Sequence, residues 1–490
     1  MPRPHFHPAV MKRFFFVATP LLATLGLILF GTSNTDRSST PGEPLSDAAM
    51  TWLLEDTPDE PLIEPWEAPT RFPDRIALTW QQDPATSLSV TWRTDTTVTA
   101  AMAQIALATP SPRFDRYADT LDATTDVLDT RRIGGEHVKA HYHAVTVTGL
   151  LPDTLYAYRV GDGEAWSAWY QTRTARARPA PFSFLYFGDA QNDLHAFWSR
   201  TIRMAYTMAP QARFIIHAGD LVNRAHRNVE WGQWFEAGGW IHGMLPIVPV
   251  PGNHEYQRTG EEDAERQLSI HWRPQFTLPE NGVPGLEETV YYIDYQGVRF
   301  IGLDSNRRLE DQAAWLDWVL TDNPHPWALA TFHHPVFSSS GERDNPALRT
   351  LWQPILERHR VDLVMQGHDH TYARGRVLNL AEGTAAHDAE SGTVYVNSVS
   401  GPKMYAIKES RWSGYGATME RAAENTQLFQ VIHIDGDTLS YEAYTTTGHL
   451  YDAFDLIKQP GGPNRLVPRL PPGTSERTHE NTIPYRIDGP

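Results

Sequence analysis

The sequence of 490 residues contains no cysteine. That absence excludes a disulfide framework, a thiolate nucleophile, iron–sulfur clusters, Cys-ligated zinc and a lipid carried on cysteine. Positive charge is also scarce: 42 Lys and Arg against 59 Asp and Glu leave a formal charge of −17. Such a surface repels nucleic acid and anionic lipid over most of its area, so no nucleic-acid binding is expected beyond a substrate role. There is no internal repeat. The hydrophobic share of 41% and charged share of 21% are those of a globular protein. At about 150 residues per domain the length allows two to four domains. Histidine, by contrast, is plentiful at 21 residues. With cysteine absent, any transition-metal site must be built from His, Asp, Glu, Asn or Tyr.

Arg3, Lys12 and Arg13 precede an uncharged run over residues 14–30, the pattern of a secretory signal peptide, and Gly31-Thr32-Ser33 offers small residues for cleavage. The run approaches the ~20 residues of a membrane-spanning helix, so an uncleaved anchor is the alternative reading of residues 1–33. Both readings export everything that follows, leaving the protein periplasmic, secreted or anchored facing outward. Membrane contact is expected only through that anchor. Residues 34–67, rich in Ser, Thr, Pro, Asp and Glu, read as a linker with one short helix around 47–54.

From residue 68 to about 176 the texture is β. Runs at 76–80, 87–94, 101–107, 141–150 and 156–160 alternate or are β-branched, with turn residues such as Asp83-Pro84 and Asp162-Gly163 between them. This predicts an all-β sandwich. Beyond Pro181 strands alternate with helices, the sign of an α/β domain reaching to about 458. Strands are predicted at 182–187, 213–217, 246–250, 290–295, 298–303, 328–332, 362–366 and 393–399, and helices at 195–208, 230–238, 310–320 and 347–358. A closing hairpin is predicted over 429–434 and 438–445, and residues 459–490 form a Pro-rich tail that wraps the surface or stays mobile.

Five of the predicted strands run into metal-capable residues. These are Gly188-Asp189-Ala190-Gln191, Gly219-Asp220-Leu221-Val222-Asn223, Gly252-Asn253-His254-Glu255, His333-His334-Pro335 and Gly367-His368-Asp369-His370. Singly each has an ordinary explanation: Gly-Asp makes turns, Asn-His caps helices, and a His pair at a strand end is common. Together they matter, because open α/β sheets bind ligands at the carboxyl ends of their strands. A glycine before the acid, Asn or His lets the backbone turn sharply and approach a ligand.

That order of motifs resembles the calcineurin-like metallophosphoesterase superfamily. The β domain in front and the run Gly367–Arg374 narrow the resemblance to its purple acid phosphatase-like branch, over roughly residues 68–450. The stretch 149–158 resembles a fibronectin type III signature, in which a Tyr hydroxyl ties back to backbone. The resemblance implies a four-layer α/β/β/α metallophosphatase sandwich preceded by an all-β fibronectin type III-like domain. It implies two transition-metal ions, Fe, Zn or Mn. Asp189 and His370 would hold the first; Asn253, His333 and His368 the second; Asp220 would bridge. His254 would not be a ligand; it would protonate the leaving alkoxide or hold the phosphate.

Three features depart from the family pattern. Where purple enzymes have Tyr three positions after the bridging Asp, this chain has Asn223; where many others have His two positions after the first Asp, it has Gln191. Gln191, Asn223 and His334 are therefore expected as extra ligands or as groups behind the ligands. The family's further His residues after the fourth motif are missing from 338–349, where Ser338, Ser339, Ser340 and Arg343 are the polar candidates. The implied function is an exported phosphatase that hydrolyses small phosphomonoesters by attack of a metal-activated hydroxide. A phosphodiesterase or nucleotide hydrolase on the same centre, and a non-catalytic secreted binding module, are the competing readings.

Overall fold

Alternating short strands between residues 74 and 173 pair into two four-stranded antiparallel sheets. One has the order Asp74–Thr79, Leu88–Thr94, Lys139–Val147, Thr124–Asp129; the other Asp119–Asp122, Met102–Leu107, Leu155–Gly161, Tyr170–Arg173. Leu88, Val90, Ile105, Val145 and Val147 meet in a common core. The Leu151 N–H donates to the Tyr156 hydroxyl at 2.9 Å, the tie that the 149–158 stretch calls for.

In this computed structural model the described residues are 66–132, 137–258, 265–341, 343–377, 392–408, 410–470 and 473–478. The signal or anchor segment 1–33, the linker up to residue 65 with its 47–54 helix, and residues 479–490 of the tail lie outside them. Among the described residues no helix is long and apolar enough to cross a membrane.

Two seven-stranded mixed sheets follow. The first runs Ile247–Pro249, Ile215–His217, Phe182–Phe187, Leu428–Asp435, Thr438–Thr445, Leu450–Ile457, Arg465–Pro468. The second runs Tyr291–Tyr295, Val298–Gly302, Trp327–Thr331, Leu363–Gln366, Val394–Asn397, Tyr372–Val377, Ala417–Ala423. The two-residue period of a strand sorts the side chains. Phe300, Leu329, Met365 and Val396 face the first sheet, where Phe184 meets Phe300 edge-on at 5.3 Å. Ile301, Ala330, Val364 and Tyr395 turn outward onto Leu316, Val319, Leu348 and Leu356 of the helices Leu309–Thr321, Pro346–Leu351 and Gln353–Arg358. Helices Ser199–Met208 and Asn228–Gly238 bury Ile202, Ala205, Trp231 and Trp234 against the first sheet. The architecture is thus α/β/β/α behind an all-β domain.

Several elements differ from expectation. The helix predicted over 347–358 is broken at Trp352, because Pro354 has no N–H to offer the preceding turn and its ring crowds that turn's carbonyl. The helix expected from residue 195 opens on a single π turn, Leu194–Trp198. Beyond the 428–445 hairpin the first sheet continues through Leu450–Ile457 and Arg465–Pro468, and the chain then returns over the surface: Arg477 N–H donates to the Tyr451 hydroxyl at 3.0 Å.

Candidate metal centre

The parallel strands Phe182–Phe187, Ile215–His217, Ile247–Pro249, Trp327–Thr331 and Leu363–Gln366 all deliver their carboxyl ends to one cleft. The turns there are tight. Asp189, Asp220, His368 and His370 have φ of +32°, +51°, +76° and +50°. These are left-handed conformations that a side chain resists, and they cluster where strands end. The flanking glycines are dictated by contact. A Cβ at Gly252 would lie 2.2 Å from Asp220 Oδ1, and one at Gly367 2.4 Å from Asp189 Oδ2.

Two groups of ligand-capable atoms result, each within 4.8 Å: Asp220, His333 and His368 form one, and Asp189, Asp220 and His370 the other. Asp220 belongs to both. In the first group His333 Nδ1 donates to the Ala218 carbonyl at 2.9 Å, which leaves Nε2 bare toward the cleft. That Nε2 lies 3.1 Å from Asp220 Oδ2, 3.2 Å from Asn253 Oδ1 and 3.1 Å from His368 Nδ1. In the second group Asp189 Oδ2 accepts the His368 N–H at 2.6 Å while its Oδ1 lies 3.8 Å from His370 Nε2.

Of the remaining sequence candidates, Gln191 enters the second group. It is fully buried, with Nε2 2.9 Å from Asp220 Oδ2 and 3.2 Å from His370 Nε2. Asn223 offers its backbone: His254 Nδ1 donates to its carbonyl at 2.5 Å. The His254 backbone N–H donates to Asp220 Oδ1 at 2.9 Å, and its Nε2 stands 3.9 Å from Asp220 Oδ2. Its side chain is 25% exposed, so Nε2 can be reached from solvent. His334 packs its ring 4.4 Å from that of His368, with Nδ1 2.8 Å from Ser305 Oγ; burial holds it down to about 3 and therefore neutral.

The electrostatics are those of a cluster in need of a cation. Burial pushes Asp189 up to about 8, with Asp220 adding to the effect. Burial acts on Asp220 as well, but His333 and His254 outweigh it and hold that carboxylate well below its ordinary range. Burial would keep His333 neutral, but the Asp220 charge lifts it to about 9: without a cation the cluster draws a proton to the Nε2 that a metal ion would otherwise occupy. Burial holds His368 and His370 neutral, the state that binds metals. Asp189 Oδ1 and Gln191 Oε1 are buried and accept no hydrogen bond. A buried acceptor without a donor is costly unless a cation serves it. The donor set fits a pair of transition-metal ions, and imidazole with carboxylate suits Fe, Zn or Mn better than Ca.

The loops also carry residues that sequence reasoning misplaced or missed. Ser338 and Ser339 are buried and bind Asp369, through the Ser338 hydroxyl at 2.8 Å and the Ser339 N–H, so they do not face the cleft. Arg343 folds back onto the His368 carbonyl. Tyr405, its N–H donating to the His370 carbonyl at 3.1 Å, sets its ring 4.8 Å from that of His370. The signal for Tyr405 was present: it lies in the loop after strand Val394–Asn397, a further carboxyl strand end beyond those carrying motifs.

Comparison with known proteins agrees with this geometry. Residues 73–174 match the family model of the purple acid phosphatase N-terminal domain, and residues 189–372 that of the calcineurin-like phosphoesterases. An uncharacterized protein of Mycobacterium tuberculosis is 23% identical, covering 79% of this chain and 87% of its own length. Human acid phosphatase type 7 is 25% identical over 63% of this chain and 72% of its own. The structure of purple acid phosphatase PPD1 from yellow lupin (Lupinus luteus) seeds aligns with a TM-score of 0.66 at 18% identity, over 79% of this chain and 74% of that one. The chain belongs to the calcineurin-like metallophosphoesterases, in their purple acid phosphatase-like branch, and is a phosphoesterase.

Proposed function

We propose that the protein is an exported, binuclear phosphatase acting on small phosphomonoesters. The observation that carries this reading is Asp220, whose carboxylate belongs to both ligand groups. Two cations held a few ångströms apart need a shared anion to offset their repulsion. Asp189 and His370 would hold one ion, Asn253, His333 and His368 the other, with Asp220 between them and the Gln191 amide donating to Asp220 from behind. Ions so held supply Lewis acidity toward phosphoryl oxygens and a water acidic enough to be hydroxide near neutrality.

The chain's own part is orientation and proton transfer. The Ala218 carbonyl fixes the His333 tautomer. The Asn223 carbonyl holds the His254 Nδ1 proton, so Nε2 is the nitrogen that takes up a second proton, as the imidazolium, and can give it to a substrate. As the water oxygen bonds to phosphorus and the ester P–O bond breaks, His254 Nε2 gives that proton to the departing oxygen, and a proton from the water restores it. The division of labour follows from position. All candidate ligands come after Pro181, in the 181–458 domain, while residues 68–176 form a fibronectin type III-like accessory domain and residues 1–33 direct export. Hydrolysis of p-nitrophenyl phosphate, its bis ester and nucleotides by protein loaded with Fe, Zn or Mn tests the reading. Turnover of the monoester with about two ions per chain is expected. Turnover of diesters alone points to a phosphodiesterase, and no turnover with any ion or ester to a binding module.

A further inference from the structure

Arg343 lies on the loop after His333-His334-Pro335 and reaches back to the ligand histidines. Its Nη1 donates to the His368 carbonyl and stands 3.8 Å from Asp369 Oδ1, an oxygen with no hydrogen bond of its own. Its guanidinium rests 4.9 Å from the centre of the Tyr405 ring, which in turn meets the His370 ring edge-on at 4.8 Å. Lys403 Nζ is 5.6 Å from the same tyrosine ring. The Arg343 charge is felt at Asp189, His334, His368 and His370, on both sides of the cleft.

A guanidinium carries five N–H donors. Arg343 uses Nη1 on the carbonyl; among the described residues nothing accepts from Nε or Nη2, and the side chain is 30% exposed. A planar cation held at one corner by a carbonyl and at one face by a ring, with donors left over, is preorganised for an oxyanion. In a protein of charge −17 that arrangement beside a phosphoesterase centre stands out.

We propose that Arg343, steadied by Tyr405 as a positioning residue, binds the third non-bridging oxygen of a phosphomonoester and thereby sets a preference for monoesters over diesters. This deepens the phosphatase reading and rests on it. An ion held by each ligand group would take one phosphoryl oxygen. A monoester brings a third that is bare and charged; a diester offers in its place an ester oxygen bearing a carbon substituent, which has neither the charge nor the clearance for a guanidinium fork. Losing one charge-assisted contact of this kind corresponds to about a 10- to 100-fold change in binding.

The test compares metal-loaded wild type, Arg343→Ala and Arg343→Lys. Calorimetry measures binding of orthophosphate and of dimethyl phosphate, and kinetics gives kcat and KM for p-nitrophenyl phosphate and its bis ester. Metal per chain and Tm are recorded for each variant. Arg343→Ala is expected to weaken orthophosphate and lower monoester kcat/KM by about 10- to 100-fold, with dimethyl phosphate and the diester changed by less than about 3-fold. Arg343→Lys should fall between. Equal losses for monoester and diester, or unchanged orthophosphate binding, overturn the proposal. Should Arg343→Ala shed metal, Arg343→Lys decides: lowered selectivity for orthophosphate over dimethyl phosphate supports the assignment, and unchanged selectivity overturns it. A wild type that hydrolyses neither ester defeats the phosphatase reading, while the two binding measurements still decide the role of Arg343.

Discussion

The Glu255 carboxylate accepts the backbone N–H of Asp220 at 2.9 Å. It also takes the N–H groups of Gly252 at 2.7 Å, Leu221 at 3.0 Å and Val222 at 3.4 Å. One buried side chain thus ties the loop of the shared aspartate to the loop of Asn253 and His254. Glu255→Gln puts an amide NH2 where a carboxylate oxygen received two backbone donors, each left unpaired at about 1–3 kcal/mol. The variant is expected to melt lower and to hold less metal, by Tm and by metal analysis. Retention of both would show that the two loops are fixed by other contacts.

Asp220→Asn should leave the fold intact, since an amide oxygen can still accept the His254 N–H that Oδ1 now takes. It removes the charge common to both ligand groups. Metal per chain should drop, and kcat/KM should fall by about 10²-fold or more. Near-normal turnover with two ions bound would end the case for a bridging role.

His254→Ala should keep its metal but lose its proton donor. The loss in kcat is expected to reach about 10²–10⁴ for alkyl phosphates and to be much smaller for p-nitrophenyl phosphate, whose leaving oxygen needs no proton. Equal losses across leaving groups would reduce His254 to holding the phosphate.

Iron-loaded protein should show no tyrosinate band in the visible region, despite its purple relatives. The resemblance puts Asn223 where those enzymes have their tyrosine. The Tyr256 hydroxyl is committed to Asp304, and that of Tyr372 to Asp452 at 2.8 Å. Tyr405 is the tyrosine to watch, because its ring lies against His370. A band that disappears in Tyr405→Phe would make Tyr405 a metal ligand instead of a platform for Arg343.

Three core histidines set a limit on the acid side. Burial holds His217 and His271 down to about 3 and His242 well below its usual 6.5. His242 is stacked 4.2 Å from Trp234 with neither nitrogen hydrogen-bonded. Above about pH 6.5 these rings are neutral whether the chain is folded or not. Below it the unfolded chain binds protons that the folded one excludes, so stability is lost progressively as pH falls toward about 3. Tm should therefore drop between about pH 7 and about pH 5, and the drop should be smaller in His242→Phe. An unaltered slope would mean that His242 titrates as an exposed ring does.

The centre was legible because its residues are chemically rare and punctuated. Asp189, Asp220, Asn253, His333, His368 and His370 each follow a strand of consecutive apolar residues, and a glycine announces most of the turns. The Arg343 contact was not legible, because a loop arginine in sequence carries no sign of which carbonyl it will meet. Strand Ala417–Ala423 was hidden for a different reason. Its Glu420 and Arg421 read as loop, yet Glu420 pairs with Arg374 and Arg376 of the neighbouring strand, so lateral charge pairing takes the place of apolar alternation. The break at Trp352 needed only Pro354, a signal present in the sequence that the apolar periodicity around it obscured.

The left-handed backbones of Asp189, Asp220, His368 and His370 bear on whether the cleft is still in use. Each imposes about 1–3 kcal/mol of strain that glycine would relieve, against roughly 0.5–1 kcal/mol of added chain entropy. Drift in an idle site would run downhill, one relaxed loop at a time. This chain instead carries an acid or an imidazole at all four places, a cost that cation binding by those side chains would offset. Ions held by these side chains would fasten three strand ends, those of Phe182–Phe187, Ile215–His217 and Leu363–Gln366, as well as supply chemistry, so removing metal should loosen the molecule there first.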